Sequence, residues 1–246
     1  MRLNHEKPGG STFYYGIQMR LISLLAGFLL LCACGNRPGP PSESTRSTPA
    51  ETAPRAPSDT GPDTRPVIVA FGDSLTAGFG ADPGRSYPDF LQQELDRRGY
   101  RYRVANAGIS GETTTDALAR LSMVTVLKPV VVIVEFGGND GLRGLPISTT
   151  RSNLDQIIVE LKASGTDVLL AGMTLPPNYG ADYISGFQHV YTDLAAKHKV
   201  ALIPFLLEGV AGTGRYMQQD GLHPTGEGNR IVAATVMRYL QPLLRK

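Results

Sequence analysis

The feature that most constrains the fold of this chain is an alternation of solid apolar runs and helical periods that begins after Pro66. Unbroken runs of Val, Ile and Leu are typical of strands buried on both faces of a parallel sheet. The runs are VIVAF at 67–71, YRVAN at 102–106, VVVIVEF at 130–136, DVLLAG at 167–172 and VALIPF at 200–205. With a helix after each strand, they predict a three-layer α/β/α domain around a five-stranded parallel sheet. We expect right-handed crossovers and a flavodoxin-like strand order.

Helix starts and stops between these runs agree with that architecture. Ser86 and Asp89 have the spacing of a capping box, and Gly99 marks the end of the helix that follows them. Apolar periodicity predicts further helices at about 114–127, 148–164 and 183–198. The last predicted helix carries its apolar residues on one face, namely Val232, Val236, Tyr239, Leu240 and Leu243.

An uncharged run at 21–31, LISLLAGFLLL, follows Arg20 near the N-terminus. It is shorter than the roughly 20 residues that cross a bilayer, but it fits a signal-peptide core of about 7–15 residues. The segment that closes it, Leu31-Cys32-Ala33-Cys34, resembles the lipobox of bacterial lipoproteins. The resemblance implies a lipid on Cys34 and export to the bacterial cell envelope, in the periplasm or at the outer membrane. An ordinary secretory signal with incidental cysteines is the alternative.

The chain is therefore expected to have three regions. Residues 1–34 form the leader and lipoprotein signal peptide, and because residues 1–18 are polar we hypothesise that translation starts at Met19. Residues 35–66 are rich in Pro, Ser and Thr and have too few apolar side chains to repay ordering, which predicts a disordered tether. Residues 67–246 form the folded domain.

Charge and cysteine content exclude several classes of function. The formal net charge is +2 and no Lys/Arg run is present, so the electrostatic footprint of a nucleic-acid-binding protein is missing. The two cysteines, Cys32 and Cys34, precede the domain. The domain therefore has neither a disulfide framework nor a thiolate metal site.

Polar and glycine-rich segments follow the predicted strands. Gly72-Asp73-Ser74-Leu75 follows the first strand, residues 108–113 the second and Gly137-Gly138-Asn139-Asp140 the third. The last two strands lead into residues 175–180 and into Asp220-Gly221-Leu222-His223-Pro224. Ligands bind outside the carboxyl ends of the strands in sheets of this kind. We therefore expect these segments to gather at one edge of the sheet as an active site.

Ser74 and His223 are the candidate nucleophile and base. A serine hydroxyl needs an adjacent base at neutral pH, and the other histidines lie in the leader or in a helix with a solvated end. Asp220, three residues before His223, is placed to bind one imidazole nitrogen and leave the other for the serine. Each segment alone is also compatible with a turn and a helix cap.

Acyl transfer also needs donors for an oxyanion. Gly111 offers a backbone N–H and Asn139 a side-chain amide, although a loop glycine or a turn asparagine is the simpler interpretation of either residue alone.

Taken in order and spacing, these segments resemble the four sequence blocks of the SGNH, or GDSL, hydrolases. Residues 106–113, 135–144 and 175–180 look like the bacterial arylesterase, acyl-CoA thioesterase and lysophospholipase branch. The resemblance covers about residues 67–244 and implies a Ser74, His223, Asp220 triad. It also implies an oxyanion hole formed by the Ser74 and Gly111 amides with Asn139.

The same resemblance implies a substrate, with no cofactor and no metal. The expected activity is hydrolysis of carboxylic esters or thioesters of acyl chains by a monomer. The loop from Gly141 to Pro146 matches the one that borders the acyl groove in the family. The expected substrate-binding residues are Gly141, Leu142, Leu145, Pro146 and Tyr179. The sequence around Ser74 is not the G-x-S-x-G elbow of the standard α/β-hydrolases.

Three alternatives differ in their expected chemistry. The same four blocks also serve carbohydrate or cell-wall O-acetyl esterases, and the apolar residues at 142 and 145–147 favour a longer acyl chain only weakly. A metal phosphoesterase built on Asp73, Asp140, Asp220 and His223 lacks a paired-histidine spacing. The third alternative is a non-catalytic lipoprotein that binds lipid or glycan through a decayed site. Such a protein would lack at least one of the catalytic residue types, whereas all of these types are present here.

Overall fold

Five parallel strands form a single sheet in the order β2–β1–β3–β4–β5 in the computed structural model, which describes residues 63–245. Their bounds are β1 Val67–Gly72, β2 Arg103–Gly108, β3 Val131–Glu135, β4 Asp167–Ala171 and β5 Ala201–Ile203. In the register, Ala70 of β1 lies between Asn106 of β2 and Ile133 of β3. Both the predicted five-stranded parallel sheet and its flavodoxin-like order are confirmed.

Burial follows the position of each strand in the sheet. Every residue of β1 and β3 is buried, as expected for central strands covered on both faces. The last strand is shorter than the apolar run at 200–205 that predicted it, because Pro204 has no N–H to continue the ladder. The central strands thus form a rigid base for the segments that leave their carboxyl ends.

Helices cover both faces of the sheet. The described helices are α1 Ser74–Ala77, α2 Tyr87–Arg97, α3 Thr114–Ala119, α4 Leu121–Thr125, α5 Gly138–Leu142, α6 Ile147–Ala163, α7 Ala181–His198 and α8 Gly226–Leu240, with 3₁₀ turns at Pro177–Tyr179 and Gln241–Leu243. Helix α2 packs against α8, and α6 packs against α3 and α7. No helix within residues 63–245 has the length and apolarity needed to cross a membrane.

Local signals explain most helix ends. The capping box of Ser86 and Asp89 is formed, and Gly99 takes a φ of +76° just after α2. The prediction of one helix at 114–127 is wrong, since Arg120 interrupts it and separates α3 from α4. At this interruption the Arg120 side chain is largely buried and its guanidinium donates to the carbonyl of Ala107 at the end of β2.

The predicted leader, the lipobox with Cys34 and most of the tether lie outside the described residues. These assignments therefore stay predictions.

Candidate active site

One cavity of about 720 Å³ lies at the carboxyl edge of the sheet and is lined by segments that follow the strands. Ser74 enters it from the segment after β1, Gly111 from the one after β2 and Asn139 from the one after β3. His223 reaches the same cavity from the long segment after β5, and Asp220 lies behind it. The structure therefore brings together all five residues that the sequence proposes for catalysis.

The turn that carries Ser74 is packed directly against the neighbouring strand. Ser74 is the first residue of α1, and the Asp73 carboxylate caps that helix by accepting an N–H two residues on. A Cβ at Gly72 would collide with the side chains of Thr76 and Glu135. Glycine is therefore required at the end of β1, where the backbone approaches β3 this closely.

The geometry around His223 is that of an activated serine. His223 Nε2 lies 2.8 Å from Ser74 Oγ, and Nδ1 lies 2.7 Å from Asp220 Oδ2. An ionised carboxylate only accepts hydrogen bonds, so Nδ1 is the donor and Nε2 of the neutral ring is free to accept from the serine. The ring of Phe79 packs against the imidazole with a centroid distance of 4.7 Å. This arrangement can take the hydroxyl proton as the serine attacks.

Asp220 also shapes its own loop. Its Oδ1 accepts hydrogen bonds from the amides of Leu222 and His223, at 2.9 and 3.1 Å. Burial raises the pKa of Asp220, but the hydrogen bonds from the imidazole and these two amides outweigh it and lower the pKa to about 2. Asp220 is consequently ionised at neutral pH and fixes both the loop and the ring.

Asn139, the expected side-chain oxyanion donor, lines the cavity, and both hydrogens of its amide are already engaged. Nδ2 donates to Asp73 Oδ2 at 3.0 Å and to the carbonyl of Glu112 at 2.9 Å. Gly111 precedes Glu112 with a φ of +85°, a conformation that favours glycine. Any further acceptor for the Asn139 amide would therefore compete with these two oxygens.

Arg120, for which the sequence predicted no role in the site, supports the turn that contains Gly111 and Glu112. Arg120 forms a largely buried ion pair with Glu112, donates to the carbonyls of Gly72 and Ala107, and stacks over Phe71. It thereby ties together the ends of β1 and β2 and the turn beside Asn139. An arginine inside a predicted helix gives no such signal in the sequence, because the break in that helix is not evident.

The five expected substrate-binding residues take different places. Leu142 lines the cavity, whereas Gly141, Leu145, Pro146 and Tyr179 are not among its lining residues. The Tyr179 hydroxyl instead donates to the carbonyl of Leu142 at 2.8 Å and supports the loop from outside. Direct substrate contact therefore has structural support for Leu142 alone, and for the other four it stays a prediction.

Most of the apolar wall comes from residues that are not among the five expected substrate-binding residues. They follow β4 and β5 or lie near the candidate catalytic segments: Phe79, Met173, Leu175, Phe205, Leu207, Met217 and Leu222. Position just past a predicted strand was the available signal for Met173, since that is where parallel sheets bind ligands, whereas Phe205 lies within the run at 200–205 that predicted the fifth strand.

A parallel-sheet α/β fold with Ser, His and Asp side chains gathered at its carboxyl edge resembles the sites of serine hydrolases. The GDSL-like Lipase/Acylhydrolase family matches residues 70–231, and the chain belongs to this family. It is an ester hydrolase.

Individual relatives agree in both sequence and fold. Esterase TesA of Pseudomonas aeruginosa is 44% identical over 179 residues, which cover 72% of this chain and 89% of the relative. Thioesterase 1/protease 1/lysophospholipase L1 of Escherichia coli K12 is 38% identical over 179 residues, or 72% of this chain and 85% of that protein. A crystal structure of TesA superposes with a TM-score of 0.70 at 44% identity and covers 72% of this chain and 99% of its own.

Proposed function

We propose that this protein is a serine esterase that hydrolyses carboxylic esters or thioesters of acyl chains through Ser74, His223 and Asp220. The observation that carries the proposal is the continuous hydrogen-bonded line from Asp220 through His223 to Ser74, with 2.7 and 2.8 Å between the donor and acceptor atoms. This line ends inside an apolar cavity, where a reacting acyl group would lie.

The chemical steps follow from the positions of these atoms. Ser74 Oγ attacks the acyl carbonyl while His223 Nε2 takes the hydroxyl proton. The tetrahedral intermediate collapses, the C–O or C–S bond breaks, and His223 returns the proton to the alcohol or thiol. Water, deprotonated by His223, then attacks the acyl-serine and releases the carboxylic acid and free Ser74. The Asp220 carboxylate stabilises the imidazolium during both the acylation of Ser74 and the hydrolysis of the acyl-serine.

Three donors are proposed to stabilise the oxyanion of each tetrahedral intermediate. They are the backbone N–H groups of Ser74 and Gly111 and the side-chain amide of Asn139, all of which line the cavity. Preorganised donors of this kind stabilise the developing charge without a cost of reorienting water.

The apolar wall favours acyl chains longer than acetyl over O-acetylated carbohydrate. Leu142, Met173 and Phe205 surround the cavity with side chains that offer no hydrogen bonds to sugar hydroxyls. The names of the relatives, an esterase and a thioesterase with lysophospholipase activity, support the same substrate classes for this chain.

A panel of substrates tests the proposal. Full-length protein is assayed with p-nitrophenyl esters from acetate to palmitate, with acyl-CoAs and with acetylated xylan. We expect kcat/KM to rise from acetate to medium acyl chains. A preference for xylan acetate would instead assign the O-acetyl esterase activity.

Covalent labelling identifies the nucleophile. A serine-directed phosphonate should modify Ser74 and abolish turnover, whereas Ser74→Ala should neither react nor turn over ester. The exposed Ser152→Ala serves as the matched control. Among the residues that the structure describes, no three His, Cys, Asp or Glu side chains are grouped to hold a metal ion. Loss of activity in EDTA that zinc or magnesium restores, together with an active Ser74→Ala variant, would overturn the proposal.

We also propose that the enzyme acts as a monomer anchored to the cell envelope by a lipid on Cys34. The apolar run at 21–31 and the Cys32-Ala33-Cys34 sequence that follows support this location. Cys34→Ser should move the protein from the membrane fraction to the soluble fraction. A variant that stays membrane-bound with unchanged gel mobility would contradict the anchor.

A further inference from the structure

Glu135, the last residue of β3, is a fully buried carboxyl group that the proposed reaction does not use. Its Oε2 accepts a hydrogen bond from the Asp73 amide at 3.2 Å and one from the Thr76 hydroxyl at 2.8 Å. Its Oε1 is buried and accepts no hydrogen bond from the described residues. One oxygen therefore binds the nucleophile turn, and the other is available to carry a proton.

The surroundings of Glu135 do not suit a charged carboxylate. It has 0% exposure and forms no ion pair with any residue in the range 63–245, while the acidic Asp73 lies beside it. A buried charge without a cation is strongly unfavourable, and such a group takes up a proton instead. In agreement, burial and then the neighbouring Asp73 raise the pKa of Glu135 well above its usual value.

Two sets of contacts connect Glu135 to the reacting groups. It holds the backbone N–H of Asp73, the residue immediately before Ser74. The Asp73 carboxylate in turn accepts a hydrogen bond from Asn139 Nδ2 at 3.0 Å. Glu135 and Thr76 also fill the space that a side chain at position 72 would need. Their packing keeps the turn that carries Ser74 from moving toward β3.

We propose that Glu135 is a positioning residue that acts as a neutral carboxylic acid beneath the nucleophile turn. It fixes Ser74 through the Asp73 backbone and aligns Asn139 through the Asp73 carboxylate. Glu135 does not line the cavity, so it acts without touching substrate. The inference rests on the proposed function, because it assigns to Glu135 the alignment of that mechanism's nucleophile and oxyanion donor.

Two substitutions at position 135 separate the hydrogen bonds from the charge and the volume. Glu135→Gln keeps a carbonyl oxygen for the Asp73 and Thr76 donors and places an NH₂ where the acid carries its proton. Glu135→Met keeps a similar length and removes both acceptors. Exposed Glu160→Gln controls for the chemical change, and Leu161→Ala, at the far end of α6, controls for loss of stability alone.

Each variant is assayed for kcat, KM and the rate of phosphonate labelling, and its thermal midpoint is measured. We expect Glu135→Gln to retain most of the wild-type kcat. Glu135→Met should lower both kcat and the labelling rate about 100-fold with little change in KM. The physical reason is that a small displacement of the reacting atoms can reduce the rate by about this factor. Leu161→Ala should melt earlier but keep its kcat.

The outcomes distinguish this inference from the proposed function. Wild-type kcat in a folded Glu135→Met protein would overturn the positioning role, and an equal loss in Glu135→Gln would show that an ionised carboxylate is needed instead. An active Ser74→Ala variant, assayed in parallel, would refute the proposed function itself. Should Glu135→Met fail to fold, Thr76→Val removes one of the two hydrogen bonds to Oε2. That variant should lower kcat at constant KM, and an unchanged kcat would count against the inference.

Discussion

Ser74 and His223 meet at 2.8 Å, but the regions that carry them are built differently. The turn that carries Ser74 is held by a distant residue, Glu135 of β3, which accepts from the Asp73 amide and the Thr76 hydroxyl, and all three residues are at most 3% exposed. The loop of His223 is held by neighbours in sequence, and the side chain of Asp220 is 38% exposed. The position of the nucleophile therefore depends on the folded core, whereas the position of the base depends on a local hydrogen-bonded turn.

The largest effect on catalysis is expected from a substitution in the loop that carries Asp220 and His223, here called the base loop. The fold should stay intact. Asp220→Asn retains an oxygen for the amides of Leu222 and His223 but no longer accepts from imidazole Nδ1 in the required tautomer. We expect kcat to fall about 10⁴-fold, with an unchanged midpoint of urea unfolding. Exposed Asp193→Asn is the control. Full activity would remove Asp220 from the mechanism, and a large loss of stability would show that the base loop also supports the core.

Asn139→Ala should reduce catalysis by less. One lost oxyanion donor typically costs about 100-fold to 1000-fold in kcat, or about 2.7 to 4 kcal/mol. KM should change little, because the donor acts mainly on the transition state. Steady-state kinetics beside exposed Gln156→Ala test this. A rise in KM at constant kcat would instead assign Asn139 to ground-state binding.

A pair of glycine substitutions compares the two regions directly. In Gly72→Ala the new methyl group meets Thr76 and Glu135, so overpacking should destabilise the fold by about 1 to 3 kcal/mol and lower kcat. Gly221→Ala in the base loop meets no atom within 4 Å, and only its φ of +69° opposes a side chain. It should cost about 1 kcal/mol. Urea unfolding of both variants is the measurement, and equal losses would contradict the comparison.

The smallest expected effect is a change in how stability depends on pH. A carboxyl whose pKa is raised by folding binds its proton more tightly in the folded state, so stability falls as pH rises from the unfolded pKa toward the folded one. Glu135 faces three titratable groups, Asp73, Tyr87 and Tyr191, from the turn, α2 and α7. None of the three is a cation that would lower its pKa.

Glu135→Gln removes this proton uptake. Its free energy of unfolding should exceed that of the wild type at pH 8 and fall less than that of the wild type between pH 5 and pH 8. Urea titrations at both pH values measure the difference. Parallel pH profiles of the two proteins would show that Glu135 is not the group that takes up the proton.

The sequence was sufficient for the elements whose signals are local. Solid apolar runs predicted the sheet, and the Ser86 capping box predicted the start of α2. The segment from Asp220 to His223 was also readable, because a carboxylate three residues from a histidine contacts it through local geometry.

The missed features depend on contacts between distant residues. Arg120 was assigned to a helix by periodicity, but its place is set by the carbonyls of Gly72 and Ala107. Glu135 lies inside the apolar run at 130–136, and the sequence predicts no role for it. Its contacts with the turn that carries Ser74 form only because β1 and β3 are neighbours in the folded sheet. A single sequence without the three-dimensional pairing carries no signal for either residue.

In the proposed mechanism, the oxyanion donor Asn139 already has both of its hydrogens engaged, so a substrate oxygen has to compete for one of them. One of the two competitors is the Glu112 carbonyl, which already accepts from Nδ2 at 2.9 Å, and the other is the Asp73 carboxylate. A neutral ester carbonyl is about as good an acceptor as that peptide carbonyl, so the exchange gains little. An oxyanion is a stronger acceptor and gains more from the same donor. In the proposed mechanism, the Asn139 hydrogen bond would therefore favour the tetrahedral intermediate over the bound substrate, and its binding energy would raise the reaction rate.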